Sequence, residues 1–195
     1  MKNQIIAITG GIGSGKSVVS QVLRSMGYAV YDTDTVAKRL MNHSTELKQL
    51  ISKTFGADVI GVDGYVNKPM LASIVFNDKT KLKQLNDIVH PVVKTDFIAW
   101  TKSHICYKKV FIETALLYES GLDSVVDEIW NVVAPEEIRI ERVMKRNAVT
   151  AKDVKERIHS QCKDVEIITP NIINNDGRHA VLPQLNKLLL ECQRV

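Results

Sequence analysis

Short apolar runs alternate with segments of helical spacing along most of the chain. Five runs, rich in β-branched or aromatic residues, are predicted to be strands: Ile5–Thr9, Tyr28–Tyr31, Lys109–Glu113, Glu128–Ala134 and Asn171–Asn174. Buried parallel strands show this pattern, and the segments between them carry apolar residues at helical intervals. The alternation predicts an α/β fold with a five-stranded parallel sheet covered by helices on both faces.

The chain between the second and third predicted strands is long and mostly periodic. Apolar residues at helical spacing end at Gly56, a typical helix stop. Asp63-Gly64, flanked by apolar residues, predicts a hairpin turn, and Pro69 fits the first turn of another helix. We therefore expect residues 32–105 to form a mostly helical insertion, not a linker.

The last helix of this insertion has two local signals. Asn77 or Asp78 can cap its start, and Pro91 is expected to interrupt its apolar pattern. The insertion leaves the carboxyl end of a predicted strand, where open α/β sheets bind ligands. We therefore expect a substrate-binding lobe, with residues 1–31 and 106–195 forming the core that carries the sheet.

A second excursion lies between the fourth and fifth predicted strands. Pro135 can start a strongly basic helix, and Thr150-Ala-Lys-Asp153 resembles a capping box that opens another. Two helices joined by a polar turn predict a lid, residues 138–165, that can swing over phosphates.

The sequence GGIGSGKS, residues 10–17, lies between the first predicted strand and a helical pattern. It matches G-x-x-x-x-G-K-[ST], the P-loop that cradles nucleoside triphosphates, and predicts a P-loop kinase-type sheet in a nucleotide-binding core. Backbone N–H groups and the positive helix end would face the phosphates. We expect Lys16 to reach the β- and γ-phosphates and Ser17 to bind Mg²⁺. The loop residues expected to bind ATP are Gly11, Ile12, Gly13, Ser14, Gly15, Lys16 and Ser17.

Two carboxylates, Asp32 and Asp34, follow the second predicted strand. One can hold Mg²⁺ through water, and the other can accept the proton of an attacking hydroxyl. Capping of the next helix is the alternative, and it explains one aspartate but not both. Because alternate residues of an extended strand face the same side, we expect both carboxylates to approach one site.

Arg142 and Arg146 are four residues apart in the basic helix and therefore share a face. They can neutralise charge on a transferring phosphoryl group; a solvated basic surface is the alternative. Glu113 ends the third predicted strand and is either an acid near Mg²⁺ or a simple strand-end carboxylate. For His90, before Pro91, the sequence favours a structural role over a catalytic one.

Composition narrows the class of protein. Of 195 residues, 45% are hydrophobic and 25% charged, a balance that can form a core. The net charge of +4 suits an anionic small molecule and is too weak to indicate nucleic-acid binding. No apolar run approaches the roughly 18 residues of a membrane span. Cys106, Cys162 and Cys192 are too dispersed for a disulfide framework and are expected to be free thiols. We expect a cytoplasmic protein with no nucleic-acid, membrane or obligate protein partner.

Seven segments, taken in order, together resemble the dephospho-coenzyme A kinase family. They are ITGGIGSGKS, VYDTDTVAKRL, FGADVIGVDGYVNKPMLASIVFND, LNDIVHPVV, ETALLYESGLD, RVMKRNAVTAKDVKERIHSQ and IINNDG. The resemblance covers nearly the whole chain. It departs from the family pattern at Lys68, Ala115, Asn147 and Asn174, where the family usually has Arg, Pro, Asp and Asp. Lys68 keeps the charge but lacks the fork of an arginine.

The resemblance implies transfer of the ATP γ-phosphoryl group to the ribose 3′-hydroxyl of dephospho-CoA, with Mg²⁺ as cofactor. The substrates are then ATP and dephospho-CoA, and the insertion binds the acceptor. Asp32 is assigned to Mg²⁺, and Asp34 to the 3′-hydroxyl as general base. Asn175 lies in the segment similar to the family's nucleotide-base segment and is expected to bind the nucleotide. The expected catalytic residues are Asp34, Lys16, Arg142 and Arg146.

Two other functions stay open at this point. One is a different P-loop small-molecule kinase, acting on a nucleoside monophosphate, shikimate or a sugar acid; the long insertion weakly favours a larger acceptor. The other is a P-loop regulatory module that hydrolyses nucleotide slowly. Such a module would not need Asp34.

Overall fold

The computed structural model describes residues 3–75, 78–161 and 169–191. Several expectations fall outside these residues: Cys162 and Cys192 as free thiols, Asn77 as the alternative cap, and residues 162–165 of the expected lid. Cys106 is a free, exposed thiol. Within the described residues, no helix combines the length and the apolar character that crossing a bilayer requires.

A single sheet of five parallel strands organises the chain. The strands are β1 (Gln4–Thr9), β2 (Ala29–Asp32), β3 (Lys109–Glu113), β4 (Glu128–Val133) and β5 (Ile172–Asn174). They lie in the order β2-β3-β1-β4-β5, with every pair parallel. All five predicted strands are confirmed, with ends displaced by at most one residue. The connections from β1 and β3 run in opposite directions, so a crevice opens between their carboxyl ends.

The described helices follow the predicted alternation. They are α1 (Lys16–Ser25), α2 (Thr33–His43), α3 (Thr45–Phe55), α4 (Lys68–Val75), α5 (Lys79–Ser103), α6 (Glu136–Asn147), α7 (Ala151–Gln161) and α8 (Val181–Glu191). The local signals hold: Gly56 ends α3, and Asp78 accepts hydrogen bonds from two backbone N–H groups at the start of α5. Thr150 and Asp153 bond reciprocally at the start of α7.

The expected interruption at Pro91 is wrong. Helix α5 runs without a break through this proline. Proline removes one backbone hydrogen bond to the carbonyl four residues earlier, but Pro91 lies on the exposed side of the helix. The opposite side buries Val89, Val93 and Phe97, and this burial keeps the helix continuous across the missing bond.

The two faces of the sheet carry two separate cores. Ile6 and Ile8 of β1 pack with α1 and α8 on one face, whereas Ile5 and Ala7 face the insertion. Phe97 of α5 belongs to this second core, together with apolar residues of α3 and α4. The insertion therefore has no core of its own, because its apolar residues pack directly on the sheet.

This shared core predicts that the insertion and the sheet unfold together. Phe97 is fully buried, so Phe97→Ala should lower the free energy of unfolding by about 3–5 kcal/mol. Its neighbour Ile98 is 38% exposed, and Ile98→Ala should cost less than about 1 kcal/mol. Urea unfolding followed by circular dichroism and by tryptophan fluorescence measures both. Separate transitions for the two probes would show that the insertion unfolds on its own.

Candidate active site

The P-loop joins β1 to α1 at the carboxyl edge of the sheet. Two of its glycines are required by geometry. Gly13 has φ +78°, and a Cβ there would lie 2.6 Å from the carbonyl oxygen of Arg139. Gly15 has φ +95° and precedes Lys16, the first residue of α1; a Cβ there would collide with the side-chain amide of Asn175. The loop is therefore packed closely against α6 and against the segment that follows β5.

Lys16 is held inside this loop. Its Nζ donates hydrogen bonds to the carbonyl oxygens of Gly10, at 2.8 Å, and Gly11, at 3.3 Å. Burial lowers the pKa of Lys16, while the carboxylates of Glu113 and Asp34 oppose this shift. Lys16 is thus a partly buried cation with acidic neighbours, which suits it to bind a phosphate oxygen.

The expectation that Asp32 and Asp34 both extend from a strand end is wrong. Strand β2 ends at Asp32, and α2 begins at Thr33. Asp32 caps α2: its carboxylate accepts hydrogen bonds from the backbone N–H of Thr35, at 3.1 Å, and from the Thr35 hydroxyl, at 2.8 Å. Asp34 lies in the first helical turn and is exposed. Both carboxylates nevertheless line the same cavity.

Glu113 is the third acidic residue at this edge. It pairs in register with Asp32 across β2 and β3, and with Ile8 across β1. Burial raises the pKa of Glu113, and the nearby Asp32 carboxylate raises it further, whereas Lys16 lowers it. The sequence left Glu113 undecided between a site residue and a simple strand end, and the structure places it in the site.

The basic helix α6 lies across the loop. Arg142 Nη1 is 3.5 Å from the carbonyl oxygen of Gly13 and 3.4 Å from that of Ser14. Its Nη2 is 3.5 Å from Oδ1 of Asn175, whose Nδ2 donates to the Ser14 carbonyl at 2.9 Å. Arg146 is exposed, and its Nε bonds to Oδ1 of Asn147. The predicted residues Arg142, Arg146 and Asn175 therefore lie together at the loop.

Arg139 is a residue of this site that the sequence reasoning missed. Its Nε donates to the carbonyl oxygen of Ile12 at 2.8 Å. Its Nη2 lies against Gly11, buried and without a hydrogen-bond partner in the described part of the chain. The signal was present, because Arg139 precedes Arg142 by three residues and Arg146 by seven, which is one helix face.

Apart from Arg139, which supports the loop from behind, these groups surround an open cavity of about 560 Å³, here called the phosphate cavity. Most predicted site residues line it. Gly11 and Ser14 differ: Gly11 packs against Arg139, and the Ser14 side chain is buried. The lining residues are Ile12, Gly13, Gly15, Lys16, Ser17, Val18, Asp32, Asp34, Thr35, Lys38, Glu113, Ala115, Arg142, Val143, Arg146 and Asn175.

A second, mostly apolar cavity of about 200 Å³ lies between α2 and α5 and is here called the α2–α5 pocket. Its lining shares one residue with that of the phosphate cavity, Asp34. The other lining residues are Thr33, Ala37, Met41, Leu85, Asn86, Val89, His90, Val93, Thr114, Leu116, Ser120 and Leu122. The two cavities therefore meet at one carboxylate.

Comparison with known proteins places this site in a family. A family model described as dephospho-CoA kinase matches residues 4–180. The dephospho-CoA kinase of Porphyromonas gingivalis is 37% identical over 190 residues, covering 94% of this chain and 92% of that protein. The dephospho-CoA kinase of Staphylococcus saprophyticus is 33% identical over 193 residues, covering 96% and 93%.

Solved structures agree with these matches. A crystal structure from Thermus thermophilus superposes with a TM-score of 0.83 and 32% identity, covering 98% of both chains. Dephospho-CoA kinase from Campylobacter jejuni, at 22% identity, superposes with a TM-score of 0.64 over 99% of this chain and 96% of its own, and shares the fold. With the P-loop, the arginines of α6 and the acidic edge in place, the chain belongs to the dephospho-CoA kinase family.

Proposed function

We propose that this chain transfers the γ-phosphoryl group of ATP to the ribose 3′-hydroxyl of dephospho-CoA, giving CoA and ADP. One observation carries the proposal beyond the family match: Asp34 lines both the phosphate cavity and the α2–α5 pocket. A phosphoryl donor in the first cavity and an alcohol in the second would meet at this carboxylate. The family match does not favour a kinase for other small acceptors.

ATP would bind with its phosphates in the phosphate cavity. The positive end of α1 and the backbone N–H groups of the loop attract anions. Lys16 now donates to two loop carbonyls, and the same ammonium can turn to the β- and γ-oxygens when they arrive. Arg142 and Asn175, which bond to each other and to the loop, would line the nucleotide side.

The residues present fit a Mg²⁺ ion. Ser17, Asp32 and Glu113 bring a hydroxyl and two carboxylates to one cavity, and Mg²⁺ prefers such oxygen ligands. The described residues contain no protein-only cluster able to hold a metal. This agrees with the usual Mg²⁺ site, in which one or two carboxylates, water and substrate phosphates share the ion. Mg²⁺ would supply charge neutralisation at the β- and γ-oxygens.

Asp34 is the proposed general base. Its carboxylate has no hydrogen bond to the rest of the described chain and is exposed, so it is available to a substrate hydroxyl. Each carboxylate oxygen of Asp32, by contrast, already accepts one hydrogen bond at the start of α2. The remaining lone pairs can accept hydrogen bonds from Mg²⁺-bound water. Arg142 and Arg146 would then neutralise the charge that develops on the transferred group.

The proposed function also assigns a role to each segment of the chain. Residues 138–165 act as the lid, 32–105 bind the acceptor, and 1–31 with 106–195 bind the nucleotide. The small core of the lid, built on Val143, Val154 and Ile158, is separate from both cores of the sheet, although Ile12 of the P-loop packs against it. The separation from the sheet supports movement of the lid as a unit. The sparse cysteines fit a reducing cytoplasm, and no protein partner is required by this scheme.

Product analysis tests the proposed reaction. ADP release should depend on dephospho-CoA, and phosphorus NMR should locate the new phosphate on the ribose 3′-oxygen. Without acceptor, ATP hydrolysis should be slow, because the reaction needs a positioned hydroxyl. Equal turnover with shikimate or a nucleoside monophosphate would reject dephospho-CoA as the preferred acceptor, and acceptor-independent hydrolysis would indicate a regulatory module.

Lys16→Ala tests the phosphate cradle. It removes a charge-assisted contact that strengthens as charge shifts in the transition state, so kcat should fall by about 10²-fold, or ~3 kcal/mol. Lys53→Ala is the control, since it removes the same charge from an exposed position in the last turn of α3. Thermal unfolding checks the fold of both variants. If folded Lys16→Ala turns over at a near-normal rate, the assignment of Lys16 to the ATP phosphates is wrong.

The two aspartates should separate by phenotype. Asp34→Asn keeps the shape and removes the base, so kcat should fall by about 10²–10⁴-fold. Calorimetry should show ATP binding largely intact. Asp32→Asn preserves the cap, because Asn and Asp are equivalent N-caps; it should instead raise the Mg²⁺ concentration required for turnover. If instead Asp34→Asn raises the Mg²⁺ requirement and Asp32→Asn lowers kcat, the assigned roles of the two aspartates are reversed.

A further inference from the structure

The hydroxyl groups that line the α2–α5 pocket already make hydrogen bonds within the protein. The hydroxyl of Thr33 donates to the Glu113 carbonyl at 2.9 Å, and the hydroxyl of Ser120 donates to the Leu116 carbonyl at 2.5 Å. The Thr114 hydroxyl accepts from the Leu116 N–H. The pocket's remaining polar side chains are Asp34, Asn86 and His90, and the rest of its wall is apolar.

His90 is the one imidazole in this wall, and its environment fixes its chemistry. His90 lines the pocket, and the backbone of Glu119, in the loop after β3, is close enough to influence the ring. Burial lowers the pKa of His90, although Glu119 and Asp87 oppose the shift. Burial thus favours the neutral ring, in which one nitrogen is a donor and the other a hydrogen-bond acceptor.

The pocket can hold only part of a coenzyme-sized acceptor. Its volume is about 200 Å³, below the roughly 300–1,000 Å³ of sites that enclose a whole ligand. The part that enters must include the groups beside the reacting hydroxyl, because Asp34 forms the mouth of the pocket toward the phosphate cavity. In dephospho-CoA those groups are the ribose and its base, which carry O–H and N–H donors.

We propose that His90 binds the acceptor, taking a hydrogen bond from an O–H or N–H donor of its nucleoside end and so fixing the reacting hydroxyl at Asp34. This inference rests on the proposed function and adds a residue to it. It also differs from the structural role that the sequence alone favours for His90. A donor held in an apolar pocket needs a partner, since an unpaired one loses affinity.

A merely structural role has to be separated from binding, because His90 also ties α5 to the loop after β3. Lys94 offers the matched control. It lies one helical turn further along α5 and ties the same helix to the same loop, with Nζ 2.7 Å from the Gly121 carbonyl and 2.9 Å from the Ser124 hydroxyl. It does not line the α2–α5 pocket. Lys94→Met therefore loosens the same loop without removing a side chain that lines the pocket.

The test measures kcat and both KM values for wild type, His90→Phe, His90→Gln and Lys94→Met. His90→Phe keeps a flat ring and should raise KM for dephospho-CoA about 10-fold or more, with KM for ATP unchanged. His90→Gln supplies an amide oxygen and should recover part of this loss. Lys94→Met should leave KM for dephospho-CoA within about twofold. Calorimetry with dephospho-CoA alone should show the same order of affinities.

Each contrary outcome has one meaning. An unchanged KM for dephospho-CoA in folded His90→Phe overturns the inference and leaves the proposed function standing. An equal rise in Lys94→Met assigns His90 to the loop instead. If His90→Phe does not fold, His90→Ala takes its place, and an unchanged KM for dephospho-CoA in folded His90→Ala overturns the inference. Wild type without turnover on dephospho-CoA rejects the proposed function, and the inference falls with it.

Discussion

The ammonium group of Lys16, held partly away from water, determines the electrostatics at the carboxyl edge of the sheet. Lys16 gives up part of its hydration, and four groups compensate for the loss: the loop carbonyls of Gly10 and Gly11 accept hydrogen bonds from it, and the carboxylates of Glu113 and Asp34 favour its charged form. Buried charges persist only when paired. The acidic residues of β3 and α2 are therefore part of the loop's electrostatics before any phosphate arrives.

The lobe that carries the second cavity depends on the sheet for its shape. Phe97 on α5 packs against Tyr31 of β2 with ring centroids 5.1 Å apart, and the Tyr31 hydroxyl donates to Asp96 at 2.7 Å. Arg39 of α2 reaches the same carboxylate. These contacts hold α2 and α5 at a set separation, and the α2–α5 pocket is the space left between them. The wall of the α2–α5 pocket is thus an extension of the core.

Much of this architecture could be read from the sequence. Strand positions, the P-loop and the helix signals at Gly56 and Asp78 followed from local chemistry, which acts within a few residues. Two points could not, and a third stayed open. The continuity of α5 through Pro91 depends on burial by distant segments. Capping of α2 by Asp32 was one of two alternatives that local chemistry offered. Arg139 looked like one more basic residue, because only tertiary packing brings it to Ile12.

The meeting of two cavities at a single residue bears on how such a fold can change. Walls of the α2–α5 pocket such as Ala37, Met41 and Leu85 lie outside the phosphate cavity. Under the proposed function, substitutions there can change which alcohol is accepted without disturbing the nucleotide site. A substitution at Asp34 is different, because this residue lines both cavities and its replacement changes both. Acceptor preference can therefore diverge through substitutions in the lining of the α2–α5 pocket while Asp34 stays unchanged.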